Sequence, residues 1–108
     1  FGSGSYSNII AGLDYVSRWK IDNPTFKAVV NMSIGGSPFS PLDAAIKNLV
    51  NNFGIVVVVA AGNESSNAAN FSPSRVEEAI TVGAYDNLTN KLANFSNFGT
   101  IVDSRCSN

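Results

Sequence analysis

The sequence predicts an α/β fold, a parallel, doubly wound sheet of Rossmann type with flanking helices. Three observations carry this. Ile55-Val56-Val57-Val58-Val59 is an unbroken run of β-branched residues, the pattern of a strand covered on both faces. Residues 28–60 hold a complete strand–helix–strand unit, long enough for a right-handed crossover between parallel neighbours. Glycine-bearing turns follow three strand candidates, at Gly35-Gly36, Gly62-Asn63 and Gly83. In a doubly wound sheet such turns share the rim at which ligands bind.

Each element has its own local reason. Ile9, Ile10, Leu13 and Val16 recur at helical spacing between Ser7 and about Lys20, with Asp14, Ser17 and Arg18 facing away. Ile21-Asp22-Asn23-Pro24-Thr25 ends that helix, because proline disfavours helical backbone in the residue before it. Ala28 to Ile34 reads as a strand closed by Gly35-Gly36. Ser40-Pro41-Leu42-Asp43 supplies an N-cap, a first-turn proline and an acid three residues after the cap. Leu42, Ala45, Ile46, Leu49, Val50 and Phe53 carry that helix's apolar face to a stop at Gly54. The valine strand follows, then a polar loop, then a short strand over residues 79–84. Lys91 to Phe98 reads as a turn and edge segment leading to Ile101-Val102, and Asp103 to Asn108 as structureless.

Composition narrows the function classes. With 108 residues, 44% hydrophobic and 14% charged, the chain is one globular domain or part of one. A net charge of −1 gives no basis for a nucleic-acid partner, and no apolar run is long enough for a membrane span. The chain has no histidine, so no Ser-His-Asp or Cys-His relay can be completed within it. Its one cysteine, Cys106, forms no internal disulfide and reads as an unpaired thiol or half of a bridge to other sequence. The opening Phe1-Gly2-Ser3-Gly4, without an initiator Met, reads as a processed or partial product. Five sequons, at Asn31, Asn63, Asn70, Asn87 and Asn94, permit a secreted or endomembrane-lumenal protein, although Asn31 falls inside a strand where a glycan is not expected.

Asn63 is the most informative single residue. It stands where the valine strand opens into a loop, after Ala60-Ala61-Gly62 has thinned the backbone surroundings. An asparagine there either aims its amide at an oxygen that becomes negative during a reaction, or is a turn residue tolerating left-handed angles after glycine.

The order and spacing of six short motifs closely resemble the subtilisin-like serine proteases, in their proteinase K-like branch. The motifs are Gly2-Ser3-Gly4-Ser5-Tyr6-Ser7 with the following Ile9 to Asp14, Asn31-Met32-Ser33-Ile34-Gly35-Gly36, and Val59-Ala60-Ala61-Gly62-Asn63. Asn70-Phe71-Ser72-Pro73, Thr81-Val82-Gly83-Ala84 and Phe95-Ser96-Asn97-Phe98-Gly99 complete the set. The resemblance implies that residues 1–108 are the central part of a subtilisin-like peptidase domain. Residues 2–6 would pair with a peptide or protein substrate by strand addition, although Gly2, Ser3 and Gly4 also suit a flexible terminus. Ser33, Ile34, Gly35 and Gly36 would form one wall of the specificity pocket, a role compatible with a tight turn. Ala60, Ala61 and Gly62 would form the opposite wall, and Asn63 would donate to the oxyanion.

The resemblance further implies a structural Ca²⁺ held by the Asp103 carboxylate and the backbone carbonyls of Glu77 and Ala79. Read without it, Asp103 simply begins a loop. The family's catalytic aspartate, histidine and serine have no counterparts in these residues, and Ser104-Arg105-Cys106-Ser107-Asn108 replaces an expected Gly/Pro-rich turn. The expectation is therefore a substrate-binding and oxyanion-hole segment, inert as this chain alone, that needs the rest of the peptidase domain or another protein chain. The alternative is a protease-derived, non-catalytic scaffold or peptide-binding module.

Overall fold

The computed structural model describes residues 2–103. The tail expected to be structureless beyond Asp103, including Cys106, lies outside the described residues. Three strands form a parallel sheet in the order β1-β2-β3: β1 Val29–Met32, β2 Val56–Ala60 and β3 Ile80–Val82. Val29 pairs with Val56 and Val58 with Ile80, so all three strands end at one rim.

The first helix, α1, runs Tyr6–Asp22. Ser5 caps it by accepting from the Asn8 N–H at 3.2 Å, and Asn23 closes it one residue before Pro24. Ile9, Ile10, Leu13 and Val16 turn toward the core as their spacing requires. Ser17 does not face away as expected. It is buried in the seam between the two helices, its hydroxyl bonded back to the Asp14 carbonyl at 2.7 Å. A small side chain that satisfies its own donor can sit where a larger polar one could not. Asp14 and Arg18 remain outside and pair at 2.9 Å.

The second helix, α2, spans Ser40–Phe53 and ends at Gly54 in the left-handed conformation, φ 63°. Ser40 is not its N-cap: the helix already includes it, the boundary residue is Phe39, and no side chain caps there. A tertiary contact took over the capping chemistry. The Arg75 Nε donates to Asp43 Oδ2 at 2.6 Å, and the Phe39 N–H donates to Ser72 Oγ at 2.9 Å.

Leu42, Ile46, Leu49, Ile55, Val57, Val59 and Val76 fill one core, with Leu13 and Met32 at its margins. α2 packs on β2, and α1 packs on α2. The valine strand is consequently buried on one face and not on both. Val57 and Val59 are 1% exposed, whereas Val56 is 45% exposed. The register places Val29, Asn31, Val56, Val58, Ala60, Ile80 and Val82 on the uncovered face. Asn31 lies within β1 as expected and is exposed there; all five sequon asparagines are exposed.

Two further segments differ from the sequence reading. The expected polar loop after β2 contains a short 3₁₀ turn, Ala68–Asn70, and a fully buried Ser72-Pro73-Ser74 stretch. Its Ser74 hydroxyl donates to the Ala68 carbonyl at 2.7 Å, and the Thr81 hydroxyl of β3 donates to the Ser74 carbonyl at 3.0 Å. Beyond β3, Tyr85–Asp86 (β4) and Lys91–Leu92 (β5) form an antiparallel hairpin. Asp86 Oδ1 accepts from the Leu88 N–H, and Asn90 takes a positive φ of 56° to close the turn.

Candidate functional site

Parallel pairing brings the loops after β1, β2 and β3 to one rim, as the three glycine-bearing turns implied. The loop after β1 forms a groove of about 510 Å³ with the segment before α1. Residues 2–4, Tyr6 and residues 33–36 line it, all of them expected, together with Ile9, expected only on the core face of its helix, and Ser37. Ser5 is withdrawn from the groove because its side chain caps α1.

Gly36 is fixed by a two-way backbone exchange with Ser72. Its N–H donates to the Ser72 carbonyl at 3.0 Å, and the Ser72 N–H donates back at 3.1 Å. Tyr6 closes the other side. Its hydroxyl donates to the Ser37 carbonyl at 2.6 Å while its ring stacks on Phe39, with centroids 4.8 Å apart and planes 5° apart. A Cβ on Gly36 would stand 2.5 Å from the Tyr6 hydroxyl, so the wall is thin because the tyrosine has taken that space. Burial raises the Tyr6 phenol above the ordinary tyrosine pKa; the Asp43 carboxylate adds to the shift and Arg75 opposes it.

The loop after β2 places Gly62 at φ 103°. Asn63, the next residue, is exposed, and among the described residues its side chain makes no hydrogen bond. The left-handed angle belongs to Gly62 and not to Asn63, so the turn explanation for the asparagine loses its support. Ala60 and Gly62 are half-buried, but the Ala61 side chain points inward and packs with Ala68 and Val102. None of these three residues lines the groove beside residues 33–36.

Sequence reasoning assigned no role to the residue that organises this loop. Asn97 is fully buried, and its amide is used on every side. Oδ1 accepts from the Glu64 N–H at 2.9 Å and the Ser66 N–H at 3.0 Å. Nδ2 donates to the Ala61 carbonyl at 2.9 Å and to Glu64 Oε2 at 2.6 Å. Its own N–H donates to the Gly62 carbonyl at 2.9 Å. Its partners lie more than thirty positions away, so no local window could reveal them.

Asp103 is drawn back to β3. Its Oδ2 accepts from the Thr81 N–H at 2.8 Å, and its N–H donates to the Thr81 carbonyl at 2.9 Å. An exposed carboxylate is thereby held beside the strand that Ala79 precedes. Among the described residues no group of three acidic, histidine or cysteine side chains is placed to hold a metal ion.

An α/β sheet with a groove and an exposed amide on its C-terminal rim defines a ligand-binding class of fold. Comparison with known proteins makes this specific. The subtilase family model matches residues 2–107, and the chain belongs to that family. It is 45% identical over 102 residues to "Subtilisin-like protease 2" of Pseudogymnoascus destructans, covering 94% of this chain and 24% of that protein. It is 49% identical over 102 residues to the "Extracellular serine proteinase" of Thermus sp. strain Rt41A, covering 94% and 23%. A crystal structure of a cold-adapted subtilisin-like serine proteinase superposes with a TM-score of 0.81 at 37% identity, covering 94% of this chain and 35% of that one. The chain thus spans about a quarter of the length of these curated relatives. Among the described residues no helix is long and apolar enough to cross a membrane.

Proposed function

We propose that these residues are the substrate-binding and oxyanion-hole segment of a subtilisin-like serine endopeptidase. The observation that carries this reading is the joint presence, on one rim, of the groove at residues 2–4 and 33–36 and the exposed Asn63. An extended peptide would lie along the groove with its backbone against Gly2 to Gly4, and a side chain would enter beside Gly35 and Gly36. The Asn63 amide, unspent on other contacts, would donate to the carbonyl oxygen as it gains charge in the tetrahedral intermediate.

The chain has no histidine, and no imidazole within it can take a serine's proton. Nucleophile and base would therefore come from residues outside this sequence, and residues 1–108 alone would hydrolyse nothing. The test is intact mass of the native material with fluorophosphonate labelling. Label on a serine of the parent polypeptide or of a co-purifying chain supports the reading. A mass matching this chain alone, without a labelled companion, replaces it with a non-catalytic binding module. A sugar on Asn63, detected by peptide mapping, would likewise end the oxyanion role.

We also propose a Ca²⁺ site of one carboxylate and two carbonyls, from Asp103, Glu77 and Ala79. What supports it is the anchoring of the Asp103 carboxylate beside the start of β3, together with the preference of a hard cation for oxygen donors. The ion's part would be structural, tying residue 103 to the start of β3. Removing calcium should lower the melting temperature of the native protein, and Asp103→Ala should abolish that difference; a difference that survives the substitution rules out this ligand set.

A further inference from the structure

We propose that Asn97 is a positioning residue for Asn63, so that a buried amide outside the groove sets the geometry of the oxyanion donor. The inference rests on the oxyanion reading of Asn63 and deepens it. Three of the four hydrogen bonds made by the Asn97 side chain, and the one made by its N–H, reach the backbone of residues 61, 62, 64 and 66. Asn63 lies inside that span and has no side-chain anchor of its own among the described residues. Its orientation therefore follows from the backbone on either side, and that backbone is held by Asn97.

The surrounding packing is close at Gly62. A Cβ on Gly62 would stand 2.4 Å from Asn97 Nδ2 and 2.5 Å from Glu64 Oε2, so the glycine backbone is pressed directly against the amide. Neighbouring bonds join the same two loops: the Ser65 N–H donates to the Phe95 carbonyl at 3.0 Å, the Phe98 N–H to the Ser66 carbonyl at 3.0 Å, and Ser65 Oγ to the Asn94 carbonyl at 2.8 Å. These zip the two loops together on either side of Asn97, which supplies the contacts nearest to Asn63. Glu64 completes the set by taking one Nδ2 hydrogen, leaving no donor or acceptor of the amide unpaired.

The chemical logic is that of a preorganised donor. An oxyanion donor accelerates the reaction only when it already points at the developing charge, and a displacement of about 1 Å costs on the order of a hundredfold in rate. Asn97→Asp keeps the shape and the two acceptor contacts. It removes the donors to Ala61 and Glu64 and sets a carboxylate against that of Glu64.

The test is a double-mutant cycle in the native protein, with kcat expressed per fluorophosphonate-titrated site so that lost folded material does not count. Asn97→Asp is expected to lower kcat by about tenfold to a hundredfold with KM nearly unchanged, because the lost interaction acts in the transition state. In the Asn63→Ala background the same change should cost about twofold or less, since no donor remains to be misplaced. An unchanged kcat per site, or the full factor persisting in the Asn63→Ala background, overturns the proposal. If Asn63→Ala alone leaves kcat intact, the oxyanion reading fails first and this inference falls with it. Should Asn97→Asp not fold, Glu64 gives the same information from an exposed position. Glu64→Ala should lower kcat per site while Glu64→Gln, which keeps an acceptor for Nδ2, restores it; equal values for the two overturn the proposal.

Discussion

Two loops reach the rim from neighbouring strands, and they are held by different means. After β1, Gly36 is fastened through its backbone to the backbone of Ser72, with the Tyr6 ring laid over the outside. After β2, the Gly62 to Ser66 turn is joined to the facing loop by backbone bonds at Gly62, Ser65 and Ser66, and a single buried side chain, Asn97, adds bonds to Ala61, Glu64 and Ser66. A backbone exchange is indifferent to the identity of the side chains that flank it, whereas a side-chain hub can be removed by one substitution. The groove wall should therefore tolerate change that the donor loop does not. The division suits the proposed roles, since a wall must accept varied side chains and a donor must hold one direction.

The largest effect is expected at the donor itself. Asn63→Ala should reduce kcat of the native protein by about 10²–10³-fold with little change in KM, the range for one lost oxyanion donor. Steady-state kinetics on a peptide substrate checks it. That range was measured in a subtilisin, so it is the family's own scale carried to this chain.

Next comes a matched pair of glycines. Gly62→Ala meets a positive φ and the fixed Asn97 amide at once and should destabilise by about 3 kcal/mol. Gly36→Ala meets only the end of the Tyr6 side chain, at an angle outside the left-handed region, and should cost about 1 kcal/mol. Denaturant unfolding of the two variants tests the comparison directly; equal losses would remove the distinction between the loops.

The ion pair beside the groove wall should rank below Gly62. Arg75→Ala leaves Asp43 buried, its Oδ1 already without a partner, and should cost about 2 kcal/mol. The figure lies below that for a fully enclosed pair because the Arg75 side chain is 31% exposed. Because Asp43 and Arg75 lie near Tyr6 of the groove and make no bond to Asn97, KM should rise more than kcat falls.

Tyr6 should give the smallest change. Tyr6→Phe keeps the stack on Phe39 and loses one hydrogen bond to Ser37, about 0.5–1 kcal/mol. With its folded pKa raised, the phenol's contribution is fully present below the unfolded tyrosine value and is lost as pH rises through the raised one. Spectrophotometric titration should show Tyr6 ionising after the ordinary tyrosine range, and Tyr6→Phe should remove that late component.

Much of this was legible in the chain before any coordinates. The 3.6-residue recurrence of Ile9, Leu13 and Val16, the stop at Gly54 and the valine run are local signals, and each produced the element it implied. The groove at residues 2–4 and 33–36 was expected only through the resemblance to the subtilisin-like proteases, since Gly2, Ser3 and Gly4 alone also suit a flexible terminus and Gly35-Gly36 a tight turn. The hairpin of β4 and β5 was not read as a pair, although Asp86, Asn87 and Asn90 were turn residues in plain view. Two-residue strands carry too little periodicity to be read.

The sequence by itself determined the two α-helices, the three strands of the parallel sheet and the glycine turns at the rim, because periodicity, helix stops and crossover length act over a few turns of chain. Only the tertiary structure decided that Ser17 lies inside, that the valine strand is covered on one face, and that Asp43 answers to Arg75 and not to its own helix end. It alone decided that Asn97 holds Asn63's loop. The burial of Ser17 and of one face of the valine strand depends on which surfaces the packed helices cover. The Asp43 and Asn97 contacts depend on polar groups that meet across thirty or more residues, where a buried donor must find whatever acceptor the packed chain brings to it.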